Sequence, residues 1–205
     1  MSLELERKYL GVTRGELRPR LIALGAAPVG PAHFESNTVY DTADGALEAG
    51  RRLLRLRVRE WPGGQDARLT YKEPLPDLMV DGRPVKRREE VELGVDDPAA
   101  MDRVLRSLGY HPAGRYEKVR ESWTLDGAHV DMDELCFGHV VEIEAGEEAL
   151  AALEERLSLD KAPISANSYY SLYAAWALER GIDPGDSFVF TAEERAAARR
   201  GLGLE

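Results

Sequence analysis

The sequence predicts an α+β fold in which an antiparallel β-barrel with a charged interior is covered on its outside by amphipathic helices. Two observations support this prediction. Charged residues recur at every second position of several short segments, which is the period of a β-strand. Helical segments are interspersed with pairs of strands, whereas a parallel sheet would alternate single strands with helices. The order of the segments therefore favours antiparallel strands.

Five segments carry the start and stop signals of helices. Thr13 followed by Glu16 forms a capping box, and Gly25 supplies a C-terminal stop. Asp97 and Pro98 suit the N-cap and the first turn of a second helix. We expect helices at residues 13–24, 97–108, 147–157 and 167–180, and a fifth that begins at Thr191.

The segments between the helices alternate with period two and are bounded by pairs of turn-forming residues. These pairs are Asp44-Gly45, Gly63-Gly64, Asp81-Gly82 and Asp126-Gly127. Most strands should therefore be joined as hairpins.

In several strands the alternating positions are charged. They are Glu4, Glu6 and Lys8; Arg55, Arg57 and Arg59; Arg88, Glu90 and Glu92; Lys118 and Arg120; Asp131 and Asp133; Glu142 and Glu144; and Lys72, two residues after Thr70. Taken singly, each set fits the solvated side of a half-buried strand. Taken together, carboxylates fill some strands and cations others, which favours complementary faces around an enclosed space.

A charged interior needs partners, because buried carboxylates and cations are costly when they stand alone. Arg and Lys clusters match phosphate oxygens, and clustered carboxylates match Mg²⁺ or Mn²⁺, which prefer oxygen ligands. The charge pattern therefore predicts a site for a divalent metal together with a polyphosphate group.

The composition argues against several classes of protein. The 205 residues carry a formal charge of −10, which disfavours nonspecific binding to nucleic acids and anionic membranes. The sequence lacks a run of about 18 apolar residues and a signal-peptide pattern, so we expect a cytoplasmic protein. Cys136 is the only cysteine, so neither a disulfide framework nor a thiolate zinc site is expected.

Some residues fit structural roles better than functional ones. The histidines have no metal-binding spacing and are interpreted as structural or surface residues: His33, His111, His129 and His139. An aromatic run at helical spacing is typical of a packing stripe: Tyr169, Tyr170, Tyr173 and Trp176.

An ordered series of motifs resembles the CYTH proteins, also called triphosphate tunnel metalloenzymes. The series comprises the ExExK signature Glu4-Leu5-Glu6-Arg7-Lys8, Tyr40-Asp41, Leu54-Arg55-Leu56-Arg57, Thr70-Tyr71-Lys72, Arg88-Glu89-Glu90-Val91-Glu92, Lys118-Val119-Arg120, Asp131 to Asp133, Gly138, Glu142-Ile143-Glu144 and Ser168-Tyr169. It covers about residues 3 to 178. One departure is Asn167, where family members often have a lysine.

The resemblance implies a closed, eight-stranded antiparallel tunnel within a domain at residues 1–180, with residues 181–205 as a peripheral helical extension. The implied metal ligands are Glu4, Glu6, Asp133, Glu142 and Glu144. The implied triphosphate-binding residues are Lys8, Arg55, Arg57, Lys72, Arg88, Lys118 and Arg120. Lys8 and Glu90 are the expected catalytic residues, and Glu90 with Glu92 would orient either water or the cations.

Four functions are compatible with these residues. The first is a triphosphatase that uses Mg²⁺ or Mn²⁺ to hydrolyse inorganic triphosphate or a small organic one, such as thiamine triphosphate or a nucleotide. The second is a class IV adenylyl cyclase, and the third is a noncatalytic module that binds polyphosphate. RNA binding ranks last, because the total charge is acidic. We expect a monomer or homodimer with no nucleic-acid or membrane partner.

Overall fold

The computed structural model describes residues 5–80 and 83–204, without the side chains of Leu5, of residues 76–80 and 83–88, and of Glu147. The chain divides into two compact units. Unit 1 contains the chain up to Phe34 and again from Lys118 onward, and unit 2 is the continuous segment Glu35–Glu117.

Unit 1 is built from an antiparallel sheet and four helices. Its strands are β1 (Leu5–Leu10), β2 (Ala27–Pro28), β7 (His111–Leu125, from Lys118), β8 (Ala128–Leu135), β9 (Gly138–Ala145), β10 (Ile164–Ser165) and β11 (Ser187–Phe188). Its helices are α1 (Arg14–Ala23), α4 (Glu147–Arg156), α5 (Tyr169–Leu178) and α6 (Ala192–Gly201). The main strand order is β10-β1-β9-β8-β7, and β2 pairs with Trp123 and Thr124 of β7.

One face of the unit 1 sheet is apolar and is covered by helices. Leu17 and Leu21 of α1 and Leu150 and Leu153 of α4 are almost completely buried in a cluster with Tyr9, Val130, Val141 and Ile143 from the strands. Because residues alternate across a strand, the positions between these apolar ones point to the opposite face. The helices thus leave the other face to polar side chains.

Besides the first part of β7, up to Glu117, unit 2 contains four strands and two helices. They are β3 (His33–Asp41, from Glu35), β4 (Leu53–Trp61), β5 (Gly64–Val80), β6 (Arg83–Gly94), α2 (Ala46–Ala49) and α3 (Pro98–Ser107). The strand order is β3-β4-β5-β6, with antiparallel β4-β5 and β5-β6 pairs. Tyr40, Leu54 and Leu56 pack with Leu47 of α2 and Leu105 of α3, so this sheet also has one helix-covered apolar face.

The five predicted helices are confirmed to within about two residues, and Thr13 and Asp97 cap α1 and α3 as expected. The helix α2 was not predicted. Asp41 stabilises it by accepting hydrogen bonds from the backbone N–H groups of Leu47 (2.8 Å) and Glu48 (2.9 Å). Burial alone would raise the pKa of Asp41, but these hydrogen bonds lower it.

The α+β fold with antiparallel strands is confirmed, whereas the closed eight-stranded barrel is not. Eleven strands form in the described residues, of which eight have six residues or more and three have two. Within unit 1 the strand order ends at β10 and β7, and within unit 2 at β3 and β6, so neither set closes on itself. The number eight came from the resemblance to the CYTH proteins, and the three two-residue strands are too short to leave a period in the sequence.

The segment after Gly181 packs through aromatic side chains within unit 1. Phe188 and Phe190 are buried, and the Phe188 ring lies 4.9 Å from that of Tyr170 between centroids. Over the described residues, none of the helices combines the length and the apolar character needed to cross a membrane.

Candidate functional site

The open face of the unit 1 sheet gathers charged side chains from four neighbouring strands. Directly opposed residues of antiparallel strands share a face, and the strand register forms three rows. The rows are Glu6, Glu144 and His129; Lys8, Glu142, Asp131 and Ser122; and Asp133 with Arg120. We call these residues, with Lys118, the unit 1 charged face. The period-two pattern thus predicted correctly which side chains of each strand share a face.

Arg120 is the centre of this face, and its side chain is only 14% exposed. Its guanidinium contacts three carboxylates at once. Its Nε and Nη2 donate to Asp133 at 2.7 and 2.5 Å, Nη2 donates to Glu142 at 2.7 Å, and Nη1 lies 2.5 Å from Asp131. A planar guanidinium suits this arrangement, because its five N–H donors are fixed in a fork.

The Asp133 carboxylate is completely buried and receives further donors. Lys118 Nζ donates to it at 3.0 Å and Tyr169 Oη at 2.6 Å. The Tyr169 ring also lies 5.4 Å from Lys118 Nζ and 5.7 Å from Lys8 Nζ, within the range of cation–π contacts. Burial, followed by the nearby charge of Asp133, raises the pKa of Tyr169, which keeps its hydroxyl protonated as a donor.

The carboxylates beside Arg120 are held in the ionised state. Burial alone would raise the pKa of Asp131, but Arg120, with hydrogen bonds from His129 and Ser122, lowers it far below its usual range. Burial would likewise raise the pKa of Glu142, yet Arg120, Lys118 and Lys8 bring it to about 2. The hydrogen bond with Asp131 raises the pKa of His129. At neutral pH this face therefore presents charges rather than neutral acids.

Lys8 joins the ExExK strand to this cluster. Its Nζ contacts the Glu6 carboxylate and lies 3.2 Å from Glu142 Oε1. Glu6 and Glu144 are exposed and sit opposite each other on β1 and β9. The face thus changes from a buried, fully paired centre around Asp133 to an exposed acidic rim.

Unit 2 has its own charged face, on β3 to β6. In its middle, Arg57 Nη2 donates to Glu92 at 2.8 Å and Arg57 Nη1 lies 3.7 Å from Glu35, which is 1% exposed. Glu92 also accepts from Arg68 Nη1 at 2.8 Å and from Thr70 Oγ1 at 3.0 Å. Burial would raise the pKa of Glu92, but Arg57 and then Arg68 and Thr70 lower it.

The flanking residues of this face are paired as well. Lys72 Nζ lies 2.6 Å from Glu90, Arg55 Nη1 donates to Tyr116 Oη at 2.8 Å, and Arg59 Nε donates to Asp66 at 2.7 Å. We call the whole set, Glu35, Asn37, Arg55, Arg57, Arg59, Asp66, Arg68, Thr70, Lys72, Glu90 and Glu92, the unit 2 charged face.

The structure brings the predicted residues together in two sets. Unit 1 joins Glu6, Lys8, Lys118, Arg120, Asp133, Glu142 and Glu144, and unit 2 joins Arg55, Arg57, Lys72 and Glu90. Glu4 lies outside the described residues. The register places Arg88 opposite Pro74, but its side chain also lies outside the described part of the chain.

Several polar residues of the two faces were missed from the sequence. They are Glu35, Asn37, Ser122, His129 and Tyr169, whereas Asp131 was predicted on a charged strand face but not among the site residues. The Ser168-Tyr169 match and the Asp131 to Asp133 motif could have indicated Tyr169 and Asp131 as site residues. Asn167, which stands where family members often have a lysine, is exposed, and so is Lys161, a lysine close to it in the sequence.

The donor chemistry of the unit 1 charged face fits a hard divalent cation. Its described residues include three permanent cations and five carboxylates, which gives a formal charge of −2. In the described part of the chain, however, no three carboxylate, imidazole or thiol groups stand close enough to hold a metal by themselves. Mg²⁺ usually takes only one or two carboxylates and completes its shell with water and substrate phosphates, so the carboxylates are compatible with such an ion.

Comparisons with known proteins identify the family of this chain and support its fold. A family model described as the CYTH domain matches residues 2–162. No curated protein sequence matches the chain.

Solved structures share the fold at low sequence identity. A candidate adenylate cyclase from Vibrio parahaemolyticus is 22% identical, with a TM-score of 0.64, and the match covers 83% of this chain and 97% of that one. A Pyrococcus horikoshii protein is 23% identical, with a TM-score of 0.65 over 87% and 99% of the two chains. A Hippeastrum protein is 20% identical, with a TM-score of 0.58 over 85% and 96%. Because the family model matches well over half of this chain, the chain belongs to the CYTH domain family.

Proposed function

We propose that this protein is a metal-dependent triphosphatase that hydrolyses the terminal phosphate of inorganic triphosphate or of a small organic triphosphate. The observation that carries the proposal is the buried cluster in which Arg120 binds Asp131, Asp133 and Glu142 together. A guanidinium and two ammonium groups that already bind carboxylate oxygens have the donor geometry for phosphate oxygens.

The charge balance supports a metal in the same site. A face with a formal charge of −2 repels a triphosphate, but one divalent cation brings the face to neutrality. Glu6, Glu142 and Glu144, with Glu4, would hold this ion. Asp133, also predicted as a ligand, is already bound by Lys118, Arg120 and Tyr169, so we assign it to holding these cations in place.

The side chains of the two charged faces have separate tasks in this proposal. Lys8, Lys118 and Arg120 bind phosphate oxygens and stabilise the charge that develops as the terminal phosphoryl group leaves. On the unit 2 charged face, Arg55, Arg57 and Lys72, with Arg88, are the cations that we assign to phosphate binding. Glu90, whose carboxylate lies 2.6 Å from Lys72 Nζ, orients that ammonium group. The bound metal would neutralise phosphate oxygens and make a coordinated water more acidic.

The family membership and one related structure favour hydrolysis. The Hippeastrum protein is described as a candidate adenylyl cyclase with a dominant triphosphatase activity. Mg²⁺ or Mn²⁺ as cofactor and a cytoplasmic location belong to the same proposal.

The alternative is a class IV adenylyl cyclase, as the name of the Vibrio parahaemolyticus structure suggests for that protein. The two reactions differ in which phosphorus atom is attacked. The test is a panel of inorganic triphosphate, thiamine triphosphate and ATP, each with Mg²⁺ or Mn²⁺. Release of phosphate supports the triphosphatase, whereas cyclic AMP with pyrophosphate supports the cyclase. Tight metal-dependent binding without any product would indicate a noncatalytic module.

A double substitution tests the metal assignment. Glu4→Gln with Glu6→Gln should abolish metal-dependent phosphate release and leave the circular dichroism spectrum unchanged, because glutamine keeps the size of glutamate and removes only its negative charge. Glu179→Gln, an exposed position at the end of α5, is the control. Full activity in the double variant would contradict the assignment.

A further inference from the structure

Asn37 is a buried amide on the unit 2 charged face. It lies on β3, two residues after Glu35, and it is 1% exposed. Tyr40, three residues further along, packs into the helix-covered apolar cluster. Because side chains alternate along a strand, Asn37 shares its face with Glu35 and is directed away from that cluster. Glu35 in turn lies 3.7 Å from Arg57, so the amide belongs to the neighbourhood of this arginine.

Both polar atoms of the Asn37 side chain lack a hydrogen-bond partner among the described residues. Neither Oδ1 nor Nδ2 is exposed to solvent or bonded to a protein group, and the buried Nε of Arg57 also has no acceptor. Thr70 and Arg68 of the same face, by contrast, donate hydrogen bonds to Glu92. A buried amide in this state is unfavourable unless a partner from outside the chain binds it.

The chemistry of the unpaired atoms indicates what that partner is. The Nδ2 group of Asn37 and the Nε of Arg57 are both donors, and each needs an acceptor. An ionised phosphoryl group offers several acceptor oxygens, and its negative charge strengthens the hydrogen bond from an arginine. The remaining atom, Oδ1, accepts one hydrogen bond, which a water molecule next to the phosphate can donate. An aspartate here would repel a phosphate and a leucine could not bind it, so an asparagine suits both contacts.

We propose, on the basis of the triphosphatase function above, that Asn37 is a substrate-binding residue that donates from Nδ2 to a phosphoryl oxygen and accepts at Oδ1 from a water beside it. The amide thereby fixes the phosphate relative to Arg57 and orders one water at the site.

The test compares Asn37→Leu, which keeps the branched shape but has no polar atoms, with the wild-type protein. The probe is inorganic triphosphate with Mg²⁺, with binding measured by calorimetry and turnover by phosphate release. We expect the Kd and KM to rise at least about tenfold, which corresponds to about 1.4 kcal/mol. Thr38→Val is the matched control, because it also replaces a polar side chain on β3 but at a position of the opposite face; it should behave like wild type. If Asn37→Leu does not fold, the same measurements are made on Asn37→Ala.

The outcomes separate this inference from the function on which it rests. If the wild-type protein binds and hydrolyses triphosphate while both Asn37 variants bind it with unchanged affinity, the amide holds only internal water and the inference is wrong, although the triphosphatase stands. If the wild-type protein neither binds nor hydrolyses triphosphate, the proposed function fails and the phosphate contact of Asn37 fails with it.

Discussion

Replacing Arg120 with methionine should destabilise the protein strongly and in a pH-dependent way. Arg120 is the shared partner of Asp131, Asp133 and Glu142, and the substitution keeps a long, unbranched side chain but removes its charge. Three carboxylates would then lie close together without their common cation.

The size of the effect follows from the partners that remain. Breaking a buried ion network typically costs about 3–5 kcal/mol. Each carboxylate keeps other contacts in the variant: Asp133 with Lys118 and Tyr169, Asp131 with Ser122 and His129, and Glu142 with Lys8. These contacts reduce the loss of stability. We therefore expect the free energy of unfolding to fall by about 3 kcal/mol at pH 7, the lower end of that range. For a chain of this length the melting temperature should drop by about 10 °C.

The pH dependence has a definite sign. The pKa of Glu142 lies at about 2 in the folded protein, below its ordinary value of 4.5. A lowered carboxyl pKa stabilises the folded state above the ordinary value, and this contribution is lost as the pH falls toward the folded value. Without Arg120 most of the contribution is absent at every pH. The difference between wild type and variant should thus be full at pH 7 and shrink between pH 4.5 and pH 2.

Urea denaturation followed by circular dichroism at pH 7 and at pH 3 measures both quantities, and urea is preferred because guanidinium would screen the charges. Arg18→Met is the control: Arg18 is 59% exposed and pairs with Glu121 at 3.3 Å, so its loss should cost under about 1 kcal/mol. A loss below about 1 kcal/mol for Arg120→Met at pH 7, or an equal loss at both pH values, would refute the reasoning.

Two further substitutions test unit 2. Tyr40→Phe removes the hydrogen bond from Tyr40 Oη to Asp102 at 2.6 Å and should lower the free energy of unfolding by about 1.5 kcal/mol. Tyr110→Phe, in the same apolar cluster, is the control. An unchanged melting temperature for Tyr40→Phe would show that the hydrogen bond contributes nothing to stability. Gly64→Ala would place a methyl group 2.9 Å from Trp61 Nε1, so the indole must move, which should cost about 1 kcal/mol and alter the tryptophan fluorescence. The control Gly94→Ala has no heavy atom within 4 Å of the added carbon, and an identical spectrum for both variants would contradict the packing of Trp61 on Gly64.

The charged faces could be predicted because the alternation that produces them is visible within the sequence of each single strand. Period two in each strand tells which side chains of that strand share a face, as Asp131 and Asp133 do on β8 and Glu142 and Glu144 on β9. The helices were predictable for the same reason, since a capping residue and a glycine stop lie within one short segment. The helix α2 has only four residues, too few to show helical periodicity, and it depends on Asp41.

The pairing within each face was not predictable, because it depends on which strands become neighbours. Asp133 was expected to bind metal, but the sequence could not show that Lys118, Arg120 and Tyr169 would all reach its carboxylate. Tyr169 fitted a packing stripe, and its hydroxyl contact spans 36 residues of sequence. Asn37 was missed because Ser-Asn-Thr shows no charge alternation, and only its burial on β3 makes the amide notable.

The pairing of Lys8 with Glu142 has a consequence for folding during synthesis on the ribosome. Unit 2 is one uninterrupted segment, whereas β1 needs β9, which is made only after all of unit 2. At a synthesis rate of roughly 5–20 residues per second, β1 waits on the order of ten seconds for its partner. Through that interval its backbone groups have no ladder and Tyr9 has no core to enter. β1 is synthesised before unit 2 but can pair with β9 only after unit 2 has been synthesised. In the meantime the nascent chain must avoid pairing β1 with the strands of unit 2.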